Sequence, residues 1–460
     1  MKSVRFMIAQ KSKSSNTLSI DDAVSSALDV AKNAGADAAD AIAVAGQSDQ
    51  VQIRLGKTEE LERTETSGIG LRVFIGRSSS IVSTNNLTTS AIKSLAERAV
   101  AIATAASEDP HTGLAEPDLF APTAPDLDLA DARQLGNYEL IDRARAAEDA
   151  AREVKGITNS LGANANASRS KIFLLTSKGF NASYETTSFS ISCSVVAGSG
   201  TNMQRDYDYT LARHFDDLKP AESIGRNAAE RSIRMVGAER MRTGPVTVVY
   251  EPRTAASLLG HFTAAINGQS IARKASFLQD RMGENIFSNA ITIIDDPLRS
   301  QGLNSRPFDG EGLAGESRAL VQNGKLNSWL LDLSSAHQLG LHSTGHASRG
   351  LSTPPSPSPT NLTLEPGSDS PETLISNVKH GLFITGLIGM GVNGVTGDYS
   401  RGADGIAIEN GRLTNPVSEV TIAGTLPEMF ARMHPGNDLE ICTGRDTPTL
   451  LIEGMMLAGS

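Results

Sequence analysis

The sequence predicts an α+β protein with an N-terminal α/β domain, a middle α+β domain and a mainly β C-terminal domain. Three observations predict it. Helix-periodic and strand-alternating segments both occur, without the regular strand–helix–strand succession of a parallel sheet. A stretch from Glu108 to Asp128 interrupts them, with Pro110, Pro117, Pro122, Pro125 and several acids. After residue 241 the readable elements are mainly short β-branched runs and glycine clusters. A chain of 460 residues has room for two or three domains at about 150 residues each. The expected division is 19–107 for the N-terminal domain, 108–130 for a linker, 131–240 for the middle domain and 241–460 for the C-terminal domain.

Each element has a local reason. Ser19 or Asp21 caps a helix whose stripe is Ala23, Ala27, Val30, Ala31 and Ala34, and Gly35 stops it. Alternating runs at Asp40–Ala45 and Val51–Leu55 are expected strands. Ile69, Leu71, Val73 and Ile75 share one strand face, and Ser80–Ser83 continues the pattern. Thr88–Ala106 is an Ala-rich helix. In the middle domain Asp131–Lys155 and Pro220–Val236 read as helices, and Lys171–Leu175, Ala182–Tyr184 and Phe189–Ala197 as strands. Further on, Val246–Tyr250 is a β-branched strand followed by an apolar helix, Arg253–Ile266. Strands are also expected at Ala290–Ile294, Ala319–Gln322, Trp329–Leu331, Gly405–Glu409, Val420–Ala423 and Thr449–Ile452. Ser348–Thr360 is a Pro/Ser-rich loop.

Composition excludes several classes of function. Lys and Arg number 42 against 52 Asp and Glu, a net charge of −10, which disfavours direct nucleic-acid contact. Two cysteines, Cys193 and Cys442, are too few for a disulfide framework or a Cys-rich zinc site and suit a reducing compartment. The first residues, Met1 to about Ser15, lack the apolar core of about 7–15 residues of a secretory leader and are expected to fray. No run of about 18 apolar residues suggests a membrane span. A cytoplasmic protein is the expectation.

Chemistry-bearing residues are sparse. None of the eight histidines precedes a Glu, so the His-Glu-x-x-His arrangement that aligns two imidazoles beside a base is absent. His342 and His346 are spaced i, i+4 but stand in a poor helix context. His261 has Ser257 and Ala265 as its helical neighbours and no second ligand. Cys442 has Arg445 nearby, yet only His434 within reach in sequence, and reads as a quiet thiol. Asp309 and Glu311 alternate with glycines in Pro307–Gly312, a turn that could also carry an acid–base pair. Gly389, Gly391 and Gly394 match GxGxxG by letter, but no helix pattern follows. Their segment, Gly386–Gly405, is the most distinctive in the chain. Asn393, Gly394, Thr396, Gly397, Asp398, Tyr399 and Arg401 are the expected substrate- or partner-binding residues, set against a plain bulged hairpin.

Several separated strings together resemble the TldD/PmbA family. They are Glu65-Thr-Ser-Gly-Ile-Gly-Leu-Arg-Val-Phe-Ile-Gly76, Phe308-Asp-Gly-Glu-Gly312, Gly340-Leu-His-Ser-Thr-Gly345 and Gly391-Val-Asn-Gly-Val-Thr-Gly-Asp-Tyr-Ser-Arg-Gly-Ala403. Glu409-Asn-Gly411, Pro416-Val417, Ile422-Ala-Gly424 and Gly436-Asn-Asp438 extend the likeness, which runs from about Ser19 to the C-terminus. The Gly391–Ala403 string resembles the PmbA (TldE) branch in particular. The resemblance implies a cytoplasmic, heterodimeric zinc metalloprotease that trims unfolded proteins, peptide precursors and antitoxins. In that family the TldD subunit holds zinc through His-Glu-x-x-x-His plus a further ligand, and TldE lacks this set. Here Leu259, Gly260 and Ala264 fall where the His, Glu and His would stand, and His261 is one position out of register.

The expectation is therefore a TldE-type subunit with no catalytic residue, metal ligand or cofactor of its own. Zinc is expected in a TldD-type partner, and the expected ligand is a peptide or unfolded protein. A homodimeric binding or scaffold protein, linked to a gyrase-directed toxin system without protease activity, is the alternative. The family's older label, modulator of DNA gyrase, would add a gyrase or DNA partner, against which the −10 charge argues for DNA itself.

Overall fold

Ser19 Oγ accepts the N–H of Asp22 and starts helix α1 (Ile20–Asn33), which buries Ala23, Val24, Ala27, Leu28 and Ala31. The computed structural model describes residues 17–460; the frayed tail expected before them lies outside the described residues. Strands β1 (Ala38–Arg54) and β2 (Lys57–Ile75) follow, joined by Leu55 and Gly56, both at positive φ, as a two-residue hairpin turn requires. Next come β3 (Ser78–Thr84) and α2 (Thr89–Ala105). The second region holds α3 (Asn137–Arg152), β4 (Ile157–Thr176), β5 (Asn181–Ala197), β6 (Gln204–Ala212) and α4 (Ala221–Arg234).

These strands form one antiparallel sheet in the order β3-β2-β1-β4-β5-β6. The sheet crosses the expected boundary between 19–107 and 131–240: β1 pairs with β4 without a break from Asp40–Thr176 to Ile53–Ala163. The two runs read separately in β1 are one strand, because Gly46–Gln50, of low strand propensity, is held by β2 on one side and β4 on the other. Side-chain alternation then sorts the packing. Ala39, Ala41 and Ala43 lie under α1 and α2, and Val51 and Ile53, further along the same face, lie under α3 and α4. On the opposite face Ile42 and Leu174 meet Phe180 and Phe308.

Phe308 belongs to the third region, which begins with β7 (Gly244–Tyr250), α5 (Pro252–Ala265) and α6 (Gly268–Ala272). Short elements follow: β8 (Ile293–Asp295), β9 (Arg318–Gln322), β10 (Lys325–Leu326), α7 (Leu333–Leu339), β11 (Ala347–Ser348), β12 (Ser356–Pro357), β13 (Leu362–Leu364) and α8 (Pro371–Ser376). The chain closes with β14 (His380–Ile388), β15 (Asp398–Glu409), β16 (Arg412–Thr425), α9 (Leu426–Ala431), β17 (Met433–Pro435), β18 (Arg445–Asp446) and β19 (Leu450–Ala458). One sheet runs β10-β9-β8-β13-β18; the other runs β16-β15-β14-β7-β19-β17. β16 also pairs with β19, so the second sheet closes on itself. Helices pack on one fully antiparallel sheet and on two mixed sheets in which β7 with β14 and β13 with β18 are parallel, the α+β class that the sequence predicts.

Several details depart from the strand reading, among them β14, which runs into the glycine-rich stretch, and β8, which starts only at Ile293. Trp329–Leu331 is no strand: Leu330 makes a single bridge to Asn267, and the three side chains serve as core. β6 has no counterpart in the sequence reading, because Gln204–Ala212 is a polar edge strand and lacks a fully buried strand's apolar run.

The regions press closely together. A Cβ on Gly70 of β2 would lie 2.0 Å from the carbonyl oxygen of Leu351, so the Pro/Ser-rich loop seats its backbone directly on the sheet. Segment 108–130 is bound too: Ala121 donates its N–H to Gly312, and Phe120 contacts the Phe180 ring.

Candidate functional site

Helix α5 organises the site. Pro252 fits its first turn, where no donor is needed, and Ala255, Leu258, Leu259, Phe262 and Ala265 anchor one face in the core. The other face, Arg253, Ser257, Gly260, His261 and Ala264, looks outward toward β15 and the loop before β18. His261 meets the Tyr399 ring edge-on, with centroids 5.9 Å apart. Its Nε2 is buried without a hydrogen-bond partner among the described residues. Arg401 lies two residues beyond Tyr399, on the same side of β15. Arg445 reaches over the helix, with Nη1 3.0 Å from where a Cβ on Gly260 would stand.

The electrostatics follow from this crowding. Burial, then the positive charges of Arg401 and Arg445, hold the His261 imidazole below its ordinary pKa, so it is neutral at pH 7. Tyr399 and Tyr250 are buried behind it with their hydroxyls 3.5 Å apart, and burial raises both phenols. Cavities flank the helix. One of about 510 Å³ is lined by Arg401, Ser257 and Arg253, and one of about 450 Å³ by Arg445, Ala256 and Arg253.

The hairpin between β14 and β15 divides the expected binding residues. Asn393 Oδ1 accepts from the N–H groups of Val395 and Thr396, and the Thr396 hydroxyl donates to Asp398 Oδ2 at 2.6 Å. Gly397 takes φ +82° and donates to Asn393, while the Gly394 carbonyl receives the Phe277 N–H. Asn393, Gly394, Thr396 and Asp398 are exposed at the tip; Gly397 is buried at its base. Only Tyr399 and Arg401 reach the α5 cleft. The GxGxxG letters sit in this hairpin: a Cβ on Gly391 would lie 1.9 Å from the Ser400 carbonyl oxygen, a strand-to-strand approach rather than a phosphate cradle.

The remaining candidates are structural. Asp309 is 2% exposed and accepts the backbone N–H groups of Glu311, Leu313 and Ala347. Glu311, 4% exposed, accepts from Leu333 and lies 3.6 Å from Arg72. Complete burial, against the pull of Arg72 and with the nearby Asp309 charge, pushes the Glu311 carboxyl up to about 8. Substrate has no path to this pair, so it is no acid–base machine. His346 places Nε2 3.1 Å from Asp295 and Nδ1 2.8 Å from Thr344, whereas His342 is exposed in the loop after α7. Cys442 lies 3.7 Å from Glu440, and burial raises its thiol pKa, the reverse of what a nucleophile needs.

A zinc ion does not fit α5. Leu259 is buried in the core, Gly260 lies under Arg445 and Ala264 faces solvent, so none offers a ligand. Among the described residues no group of three or more His, Cys, Asp or Glu side chains is placed to hold a metal. The buried imidazole of His261 lies near the guanidinium groups of Arg401 and Arg445, which repel a cation. The sequence reading passed over Arg445 as a neighbour of Gly260; a glycine inside an apolar helix was the signal that something approaches closely there.

Three regions match known domains. Residues 39–103 match PmbA/TldA metallopeptidase domain 1, residues 130–236 the central domain and residues 243–459 the C-terminal domain. The chain is 37% identical over 442 residues to the metalloprotease PmbA homolog of Haemophilus influenzae, covering 95% of this chain and 96% of the relative. It is 35% identical over 442 residues to metalloprotease PmbA of Escherichia coli O157:H7, covering 96% of each chain. A candidate modulator of DNA gyrase from Bacteroides thetaiotaomicron superposes with a TM-score of 0.87 at 28% identity, over 95% of this chain and 98% of that one. TldE from Thermococcus kodakarensis shares the fold, with a TM-score of 0.84 at 19% identity over 95% of this chain and 100% of that one. With all three regions matched and relatives similar over almost their whole length, the chain belongs to the PmbA/TldD family, on its PmbA branch.

Proposed function

We propose that this chain serves proteolysis as the subunit without a zinc site of its own, paired with a TldD-type chain that supplies the metal and cuts the peptide bond. One observation carries the reading: the helix where the family's metal ligands would stand presents Leu259, Gly260 and Ala264, with Arg445 lying across it. Relatives named metalloprotease support the proteolytic side. The chain's own work is then to close the chamber and hold an extended peptide or unfolded segment. The exposed hairpin tip around Asn393, Thr396 and Asp398 and the α5 cleft with Tyr399 and Arg401 are the surfaces for it. β2 offers a further edge, since β3 covers only Ile69–Ile75 and leaves residues 57–67 open on that side. A cytoplasmic setting and a partner that is neither nucleic acid nor membrane complete the proposal. Among the described residues no helix is long and apolar enough to cross a membrane.

Mixing the two chains tests this. Co-elution from a size-exclusion column, with peptidase activity that neither chain shows alone, is the expected result. Self-association with no stable complex would instead favour a homodimeric scaffold.

A further inference from the structure

The charged groups around α5 are unevenly satisfied. Asp206 is paired with Arg253, and Glu251 with both Arg231 and Arg253. Asp438 accepts from Thr449, and Asp446 from the N–H groups of Cys442, Thr443 and Gly444. Glu440 pairs with Lys219 and Asp208 accepts from Asn227, while Asp404, which lines the Arg401 cavity, has no ion pair among the described residues and its carboxyl is raised by burial. Arg401 and Arg445 are unpaired: among the described residues neither guanidinium has an ion-pair or hydrogen-bond partner. Near both lies His261, whose Nε2 is buried and unpaired. Arg401 Nε and His261 Nε2 are both buried without a partner, which is costly, while the exposed Arg445 adds a second guanidinium, and both arginines supply the donors an oxyanion needs. The cavities on either side of the helix leave room for the rest of a ligand.

We propose that the cleft between α5 and β15 is an oxyanion site that takes a peptide carboxylate, with Arg401 and Arg445 supplying the charge and His261 Nε2 a hydrogen bond. The cradle rests on the geometry alone; the choice of a peptide as the carrier rests on the proteolytic reading above. Arg401 is held by β15, while Arg445 is exposed and swings over Gly260, so Arg445 closes on the bound group. Ser257 Oγ, one helical turn before His261, borders the path along which the peptide leaves the cradle.

Calorimetric titration of the full chain with a short unfolded peptide, as its free acid and as its C-terminal amide, tests the proposal. The free acid is expected to bind about tenfold more tightly or better, as suits charge-assisted bonds to a desolvated anion. Arg445→Gln and Arg401→Gln remove that advantage, and Arg412→Gln, on an exposed strand end, keeps it. Arg445→Gln changes an exposed side chain, so its loss is read on a folded protein, as circular dichroism verifies. Inorganic phosphate, titrated separately, distinguishes the source of the oxyanion. Equal binding of acid and amide overturns the proposal, as does phosphate binding that is tighter than the free acid with the same Arg445 dependence. Neither outcome touches complex formation with a catalytic chain, so the two proposals fail separately.

Discussion

Glu311 illustrates how the same two residues, Asp309 and Glu311, can look catalytic in sequence and prove architectural in space. Their alternation with glycines marks a turn, and Glu311 and Leu313 of that turn donate to Asp309, but the N–H groups of Leu333 and Ala347 that complete the pair come from other segments of the chain. Glu311 also gives a pH signature. Its folded pKa of about 8 lies above the ordinary 4.5, so the folded state keeps a proton that the unfolded chain releases. Stability from this group is full below the lower value and is lost as pH rises through the window to the higher one, by at most about 1.4 kcal/mol per unit. Urea unfolding at several pH values should show that decline in the native chain and a flatter profile in Glu311→Gln. Asp309→Ala leaves three buried N–H groups without an acceptor, at about 1–3 kcal/mol each. A clear fall in melting temperature is expected, and an unchanged one would contradict the role assigned to it. His261 was legible as a helical residue without a second ligand. Its neighbours Arg401 and Arg445 were not, since 140 and more residues of chain separate them from it.

At the scale of elements, periodicity located α1, α2, α4 and α5 to within two residues, because their stripes of small apolar side chains pack directly on the sheets, whereas the short helices α6 to α9 were not read. Strands were less legible. β1 and β5 each looked like two runs, since polar residues inside them are held by neighbouring strands, on both sides in β1 and by β4 in β5, that a local pattern cannot reveal. The Gly391 turn was legible as a special backbone, although its purpose, contact with Ser400, needed coordinates. Gly391→Ala forces that contact apart and is expected to cost about 1–3 kcal/mol. Thermal unfolding measures it, and retention of full stability would show that the hairpin accommodates a side chain.

For the whole molecule the decisive feature is that its regions are fused. One sheet spans the first two, and a buried charge cluster ties the third to them. Asp40 of β1 is engaged by Arg72 of β2 and, at 2.6 Å, by Arg349 of the Pro/Ser-rich loop. Burial alone would raise the Asp40 carboxyl, but Arg349 and Arg72 outweigh it and hold it below the ordinary range. Arg349→Leu removes one of these partners, and a loss of about 1.5–3 kcal/mol is expected from a charged hydrogen bond at this depth. It should be read in urea unfolding as an earlier transition. None of this was legible in the sequence, because Asp40 and Arg349 are 309 residues apart and each reads locally as an ordinary surface charge. A frame fused in this way suits the proposed role, a subunit that shapes a chamber around chemistry performed by its partner. The measurement that tests that claim most directly is the zinc content of the purified chain alone, after dialysis against excess zinc and gel filtration. The account predicts sub-stoichiometric zinc and no peptidase activity. One tightly held zinc per chain, lost when His261 is replaced, would contradict it.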